Sequence, residues 1–172
     1  MNKQVLVAYA SKHGATAEIA EKIGEVLRQA GLSADVLPAG RVGDLSAYQA
    51  VVLGSAVYIG QWRKEAARFL QANETALAAK PVWLFSSGPT GKGDPVELLQ
   101  GWRFPAKLQP IADRIGPRDI AVFHGASDPN KLNFIERWMM RNVKAPAGDF
   151  RDWEAITAWA TSIARTLQEA GL

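Results

Sequence analysis

Short apolar runs alternate with stretches of helical periodicity along this chain, and the alternation is what most constrains its fold. The apolar runs, which have strand length, lie at residues 3–9, 33–37, 50–55, 82–87 and 119–125. The helical patterns lie at residues 16–30, 62–79, 106–115, 131–144 and 152–170. Parallel strands need long right-handed connections, which helices supply. The sequence therefore predicts an α/β fold, a doubly wound parallel sheet of five strands with helices on both faces.

Composition excludes several classes of function. The chain has 172 residues, which fits a single domain over 1–172, and it contains no cysteine, so disulfides and thiolate chemistry are excluded. Its two histidines are far apart in sequence, and no metal site is expected. The net charge is only +3 and like charges form no long run, which argues against nucleic acid as a partner.

The sequence shows no pattern typical of a targeting signal or a membrane span. The chain begins with MNKQVLV, without an apolar signal segment, and no later apolar run reaches the length of a membrane span, about 18 residues. We therefore expect a cytoplasmic protein.

The segments that follow the first, third and fourth strands are candidates for a binding site. In an open parallel sheet, ligands bind beyond the carboxyl ends of the strands, where the winding direction reverses. The first segment, SKHGAT at 11–16, leads into a helix whose free N–H groups and dipole suit a phosphate. It matches neither a P-loop nor a GxGxxG fingerprint. An ordinary capped turn between strand and helix is the alternative.

The string S-x-x-G-x-T after the first strand resembles the phosphate-binding loop of flavodoxins, and the resemblance covers nearly the whole chain. It implies a sheet order of 2-1-3-4-5 and FMN as the cofactor. The phosphate would be wrapped by Ser11, Lys12, His13, Gly14, Ala15 and Thr16. The isoalloxazine would lie against Ser55, Ala56, Val57, Tyr58, Ile59, Gly60 and Trp62. Its other edge would be lined by Ser86, Ser87, Gly88, Pro89, Thr90 and Gly91.

Two strings near the C-terminus, GASDPNKLNFIERWMMRNV and DFRDWEAITAWATSIARTL, are closest in pattern to the branch containing the menaquinone-dependent protoporphyrinogen dehydrogenases. This resemblance implies an oxidoreductase of heme biosynthesis that passes electrons from a planar, porphyrin-type substrate through FMN to a quinone. The alternative is an electron carrier serving protein redox partners, without a small-molecule substrate of its own. A weaker alternative is a flavodoxin-fold module that has lost the flavin.

Aromatic side chains near the expected flavin are unevenly distributed. The loop 86–91 contains none, so Tyr58 or Trp62 would cover one face of the ring and leave the other open to a planar substrate or quinone. Both aromatics could equally belong to the core or the surface. The flavin carries the chemistry, so no catalytic side chain is assigned. His13 is expected to neighbour the phosphate rather than act as a catalyst.

The predicted helix at 131–144 has a broad apolar face. Leu132, Ile135, Met139 and Val143 share one side of the helical wheel, and Phe134 and Trp138 extend it. The helix could pack on the sheet, or it could contact the inner face of the membrane as a peripheral element. Two further residues receive structural roles: His124 as a satisfied histidine at a strand end, and Asp128 as a turn former or cap.

Overall fold

The computed structural model describes residues 4–172. In chain order, the strands are β1 (Gln4–Ala10), β2 (Ser33–Pro38), β3 (Tyr48–Tyr58), β4 (Gln61–Trp62), β5 (Val82–Ser87), β6 (Asp119–Phe123), β7 (Ala126–Ser127) and β8 (Gly148–Asp149). The helices are α1 (Ala15–Gln29), α2 (Lys64–Ala72), α3 (Glu74–Ala78), α4 (Pro95–Leu98), α5 (Gln109–Ile115), α6 (Phe134–Asn142) and α7 (Trp153–Glu169). Short 3-10 turns lie at Ala39–Arg41, Ala106–Leu108 and Pro129–Lys131.

The main sheet has the order β2-β1-β3-β5-β6, with every neighbouring pair parallel. The two-residue strand β4 pairs antiparallel with the end of β3 and lies off this path. Once β4 is set aside, the predicted five-stranded order is confirmed. The winding direction reverses between β1 and β3, so the carboxyl ends of these two strands flank the crevice where ligands bind in such sheets.

Two apolar layers cover the sheet because side chains alternate between its faces. On one face, α1 and α7 pack over strand residues such as Val7, Val52 and Phe85. On the other face, α2, α3 and α5 pack over Leu6, Leu53 and their neighbours. The prediction of helices on both faces is therefore confirmed. That residues 1–172 form one domain stays a prediction.

Gly54, in the middle of β3, makes room for an aromatic side chain on the neighbouring strand. Its partner in register is Phe85 of β5, and a Cβ placed on Gly54 would lie only 2.0 Å from a carbon of the Phe85 ring. Phe85 is fully buried, and its ring contacts those of Phe123 and Trp159 at centroid distances of 5.9 and 6.0 Å. The absence of a side chain at Gly54 thus allows this aromatic cluster to form.

Several predicted boundaries were wrong, above all in the helix expected at 62–79. Trp62 belongs to β4, and Asn73 ends α2 before α3 begins. The helix expected at 106–115 begins as a 3-10 turn, and the strand expected at 119–125 ends at Phe123. Lys3, included in the first predicted strand, lies outside the described residues.

Candidate functional site

A cavity of about 640 Å³ opens at the carboxyl ends of β1, β3 and β5. This volume lies in the range of small-molecule sites, about 300 to 1,000 Å³. Most of the predicted site residues line it: Ser11, Lys12, His13, Ala15, Thr16, Ala56, Val57, Tyr58, Ile59, Gly60, Ser87, Gly88, Pro89, Thr90 and Gly91. The topology thus brings together three loops that are distant in sequence. We call the loop 11–16, which is predicted to bind a phosphate, the phosphate loop.

The phosphate loop ends on a helix N-terminus that no side chain caps. Gly14 is the N-cap of α1 with φ +93°, which favours glycine, and its N–H donates to Ser11 Oγ at 3.0 Å. The N–H groups of Ala15, Thr16 and Ala17 have no acceptor within residues 4–172. Free N–H groups at the positive end of a helix dipole form a ready binding site for an anion.

Tyr58 forms the aromatic wall of the cavity. It ends β3, and a two-residue hairpin of Ile59 and Gly60, with φ +50° and +69°, turns the chain back into β4. The Tyr58 side chain is partly exposed, and its hydroxyl donates to Glu136 Oε2 at 2.8 Å. Burial and this hydrogen bond raise the pKa of the Tyr58 hydroxyl, so it stays protonated as a donor.

The loop after β5 supplies the opposite wall from backbone and small side chains. A Cβ on Gly88 would lie 3.3 Å from Val57 Cβ, and one on Gly125 would lie 2.8 Å from the Gly88 carbonyl oxygen. Glycine at both positions therefore lets three chain segments approach closely.

Glu136 of α6 meets the phosphate loop and Tyr58 at one point. Its carboxylate accepts hydrogen bonds from Lys12 Nζ at 2.7 Å, from His13 Nε2 at 2.8 Å and from the Tyr58 hydroxyl. Glu136 is the only charged residue within 4–172 that is buried. Burial raises the pKa of its carboxyl, but the hydrogen bonds from Lys12, His13 and Tyr58 outweigh it and lower that pKa to about 2. Glu136 is thus ionised.

A comparison with models of protein families decides the family. The model of the flavodoxin domain matches residues 6–154, which is most of the chain and includes all three loops. The chain belongs to the flavodoxin family. Membership in this family implies that the chain binds FMN and takes part in electron transfer, as the resemblance in the phosphate loop predicted.

The relatives are distant in sequence and similar in fold. The protoporphyrinogen IX dehydrogenase [quinone] of Escherichia coli K12 is 22% identical, and the alignment covers 94% of each chain. A flavodoxin from the domain Archaea is 15% identical with a TM-score of 0.63, covering 96% of this chain and 99% of its own. Flavodoxin 2 of Bacillus cereus is 22% identical with a TM-score of 0.62, covering 95% and 99%. At this level the solved structures support the fold alone.

The site fits FMN by its own chemistry. The uncapped start of α1 suits the phosphate, Thr16 adds a hydroxyl on the cavity wall, and Tyr58 offers an aromatic ring beside it. Lys12 Nζ lies 5.9 Å from the centroid of that ring and adds positive charge near the phosphate loop. Which atoms contact the cofactor stays a prediction.

Four predicted residues do not line the cavity, for identifiable reasons. Trp62 is buried in the core, where its Nε1 donates to Ser86 Oγ at 2.8 Å and its ring packs on Phe104. The same hydrogen bond directs the Ser86 hydroxyl towards Trp62. The Ser55 hydroxyl is also engaged elsewhere, because its Oγ accepts from Arg63 N at 3.0 Å. The fourth, Gly14, shapes the phosphate loop through its backbone. The geometry therefore favours Tyr58 over Trp62 as the residue beside the flavin.

Of the two alternatives for the helix at 131–144, packing of its apolar face on the sheet was wrong. Ile135 and Val143, expected to share the packed face with Leu132 and Met139, are 65% and 72% exposed. Glu136 is buried instead, because α6 packs over the cavity rather than on the sheet. This helix contributes a wall of the site that sequence reasoning missed. A capping pattern, Asn133 followed by Glu136, was its one local signal, and it indicates an exposed glutamate.

Arg151 was also missed. Its guanidinium is nearly buried, and it donates to the carbonyl oxygen of Ala15 at 3.2 Å and to Glu18 at 2.7 Å. A second ion pair joins it to Asp149 at 2.7 Å. Arg151 thereby ties the segment after β8 to the start of α1. No local pattern in the sequence marks this contact.

The structural roles predicted for Asp128 and His124 compare differently with the structure. Asp128 caps the turn at Pro129–Lys131 by accepting from Asn130 N at 3.0 Å, which confirms its predicted role. His124 follows β6, and its buried Nε2 has no hydrogen-bond partner within residues 4–172. The expectation of a satisfied histidine was therefore wrong.

Proposed function

We propose that this flavodoxin-family chain is an FMN-dependent oxidoreductase that resembles protoporphyrinogen dehydrogenase. Each pair of electrons and protons that leaves a reduced substrate of the porphyrinogen class would reduce one quinone to a quinol, so three quinones would be reduced for each planar porphyrin formed. FMN, when bound, supplies the electron-transfer chemistry. The chain's own residues bind the cofactor, orient the substrate and exclude water.

An apolar compartment beside the flavin loops carries this proposal. The cavity continues past the phosphate loop into a region walled by α4, α6 and the segment after α6. Its apolar lining consists of Leu98, Leu99, Leu132, Met139, Met140, Val143 and Pro146. A carrier that meets only other proteins needs no apolar cavity of this kind beside the flavin loops. Methionine side chains adapt to the shape of a large ring ligand because they are unbranched and polarizable.

The composition of the cavity walls also supports a planar partner. Tyr58 presents an aromatic wall, whereas Ser87 to Gly91 contribute no aromatic side chain. One face of a bound flavin would then stay open towards the apolar compartment. The relative from Escherichia coli, which carries the name protoporphyrinogen IX dehydrogenase [quinone], agrees with this substrate class.

A turnover assay separates the enzyme from the carrier. Protoporphyrinogen and a water-soluble menaquinone analogue are mixed anaerobically with the FMN-loaded protein, and porphyrin fluorescence is followed. We expect faster porphyrin formation than with no protein and than with the protein stripped of FMN. A rate equal to both controls would reject the oxidoreductase and favour a carrier for protein redox partners.

We also propose that α6 makes a peripheral contact with an anionic membrane. Within residues 4–172, no helix has the length and hydropathy needed to cross a bilayer. The outer face of α6 nevertheless exposes Phe134, Ile135 and Trp138 at 77%, 65% and 56%. The cations Lys131, Arg141 and Lys144, which flank these residues in sequence, are exposed as well. Apolar side chains flanked by cations are typical of helices that lie on a lipid surface, where a quinone would be available.

Replacing Phe134 and Trp138 with serine is expected to reduce binding to vesicles of mixed neutral and anionic lipid by about tenfold or more. Burying a large apolar side chain contributes about 1.5 to 3 kcal/mol, and both side chains are mostly exposed in the free protein. Co-sedimentation measures the bound fraction, with purely neutral vesicles and the unsubstituted protein as controls. Equal binding of variant and parent would contradict the proposal.

A further inference from the structure

Helix α6 differs from an ordinary surface helix in the side chain that it buries most deeply. Its outward side chains include Phe134 and Trp138, whereas its inward side chains include an ionised glutamate that is only 6% exposed. A helix packed on a core normally turns its apolar face inward. Glu136 is the one buried residue of α6, while Met139 and Met140, which also line the cavity, are half-buried, so the contacts of Glu136 contribute to holding the helix in place.

Those contacts join α6 to the cofactor loops. Glu136 Oε1 accepts from Lys12 Nζ at 2.7 Å, and Oε2 accepts from His13 Nε2 and the Tyr58 hydroxyl, each at 2.8 Å. The Glu136 N–H is satisfied separately by Asn133 Oδ1 at 2.8 Å. The Glu136 carboxylate therefore makes these hydrogen bonds outside its own helix, and they hold α6 against the phosphate loop and Tyr58.

The phosphate of FMN needs the same positive charge. Lys12 and His13 stand in the loop that leads to the free N–H groups of α1, and both already donate to the Glu136 carboxylate. A phosphate bound at this loop would repel the Glu136 carboxylate, and it would attract the same two donors, Lys12 and His13. In a partly buried site such repulsion is only weakly screened by solvent.

We propose that Glu136 is a positioning residue that latches α6 over the cavity, and that the phosphate of FMN competes with it for Lys12 and His13. Filling the phosphate loop then loosens α6, whose outer face is the proposed membrane contact. The inference rests on FMN binding but not on the proposed oxidation of a porphyrinogen. The protein could lack porphyrinogen oxidation and still show the competition between Glu136 and the FMN phosphate. It could also oxidise a porphyrinogen without showing that competition.

The Glu136→Gln variant tests the competition directly. Glutamine keeps the shape and removes the charge, so FMN should bind about tenfold more tightly, while riboflavin, which lacks the phosphate, should change by less than about twofold. Flavin fluorescence titration gives both dissociation constants. Glu74→Gln is the matched control, because Glu74 pairs with Arg114 on an exposed surface and its loss changes net charge equally. Equal changes for FMN and riboflavin, or weaker FMN binding, would overturn the proposal.

A measurement on the unsubstituted protein covers the case in which this variant does not fold. Amide hydrogen exchange of residues 134–142 is followed without ligand, with riboflavin and with FMN. We expect exchange to be faster with FMN than with riboflavin, since only FMN brings the competing phosphate. Equal exchange with both ligands, or slower exchange with FMN, would show that no such competition exists.

Discussion

The double variant Ser11→Ala/Thr16→Ala is expected to bind FMN about 10²- to 10⁴-fold more weakly. A hydrogen bond to a charged group contributes about 1.5 to 3 kcal/mol, and each factor of ten in affinity corresponds to about 1.4 kcal/mol. Ser11 Oγ accepts from the Gly14 N–H, which leaves its own proton free for the phosphate. Thr16 is buried at the cavity wall. Flavin fluorescence titration measures the change.

Riboflavin is the internal control for this experiment. It has the same ring without the phosphate, so its affinity should be nearly the same in the double variant and the parent. Thr161→Ala serves as the matched substitution, because Thr161 is exposed on α7 and its hydroxyl bonds only to a backbone carbonyl. If FMN affinity were unchanged in the double variant, the phosphate loop would have another role.

Gly54→Ala is expected to lower the free energy of unfolding by about 3 kcal/mol, at the upper end of the range for overpacking. The added Cβ would lie within 2.0 to 2.3 Å of three Phe85 ring carbons. Phe85 cannot move away easily, because it is fully buried between Phe123 and Trp159. Urea denaturation, monitored by circular dichroism, measures the difference.

Two further variants make this second prediction specific. Gly40→Ala is the matched control, because a Cβ there meets no atom within 4 Å, and we expect a change within about 0.5 kcal/mol. Combining Gly54→Ala with Phe85→Leu should cost less than the sum of the two single changes, since the smaller side chain relieves the clash. Strict additivity would mean that the Phe85 ring is not what Gly54 accommodates.

The architecture could be predicted because its signals are local. The apolar run around Val7 and the helical period from Thr16 onwards are properties of neighbouring residues, and five such units leave few topologies. The boundaries were less predictable. Trp62 fits a helical pattern, but a hydrogen bond to Ser86 and packing on Phe104 hold it in β4 instead. Tertiary contacts of this kind override local preference.

By itself, the sequence determined the α/β class, the strand order implied by the family resemblance, and the three loops at the carboxyl ends of the strands. These depend on contiguous residues such as SKHGAT and on the rules of parallel sheets. Only the tertiary structure decided that α6 lines the cavity and that Glu136 joins this helix to the phosphate loop. Lys12 and Glu136 are 124 positions apart. An ionic contact between two such distant residues follows from how the whole chain packs, because neither side chain carries a local signal of the other.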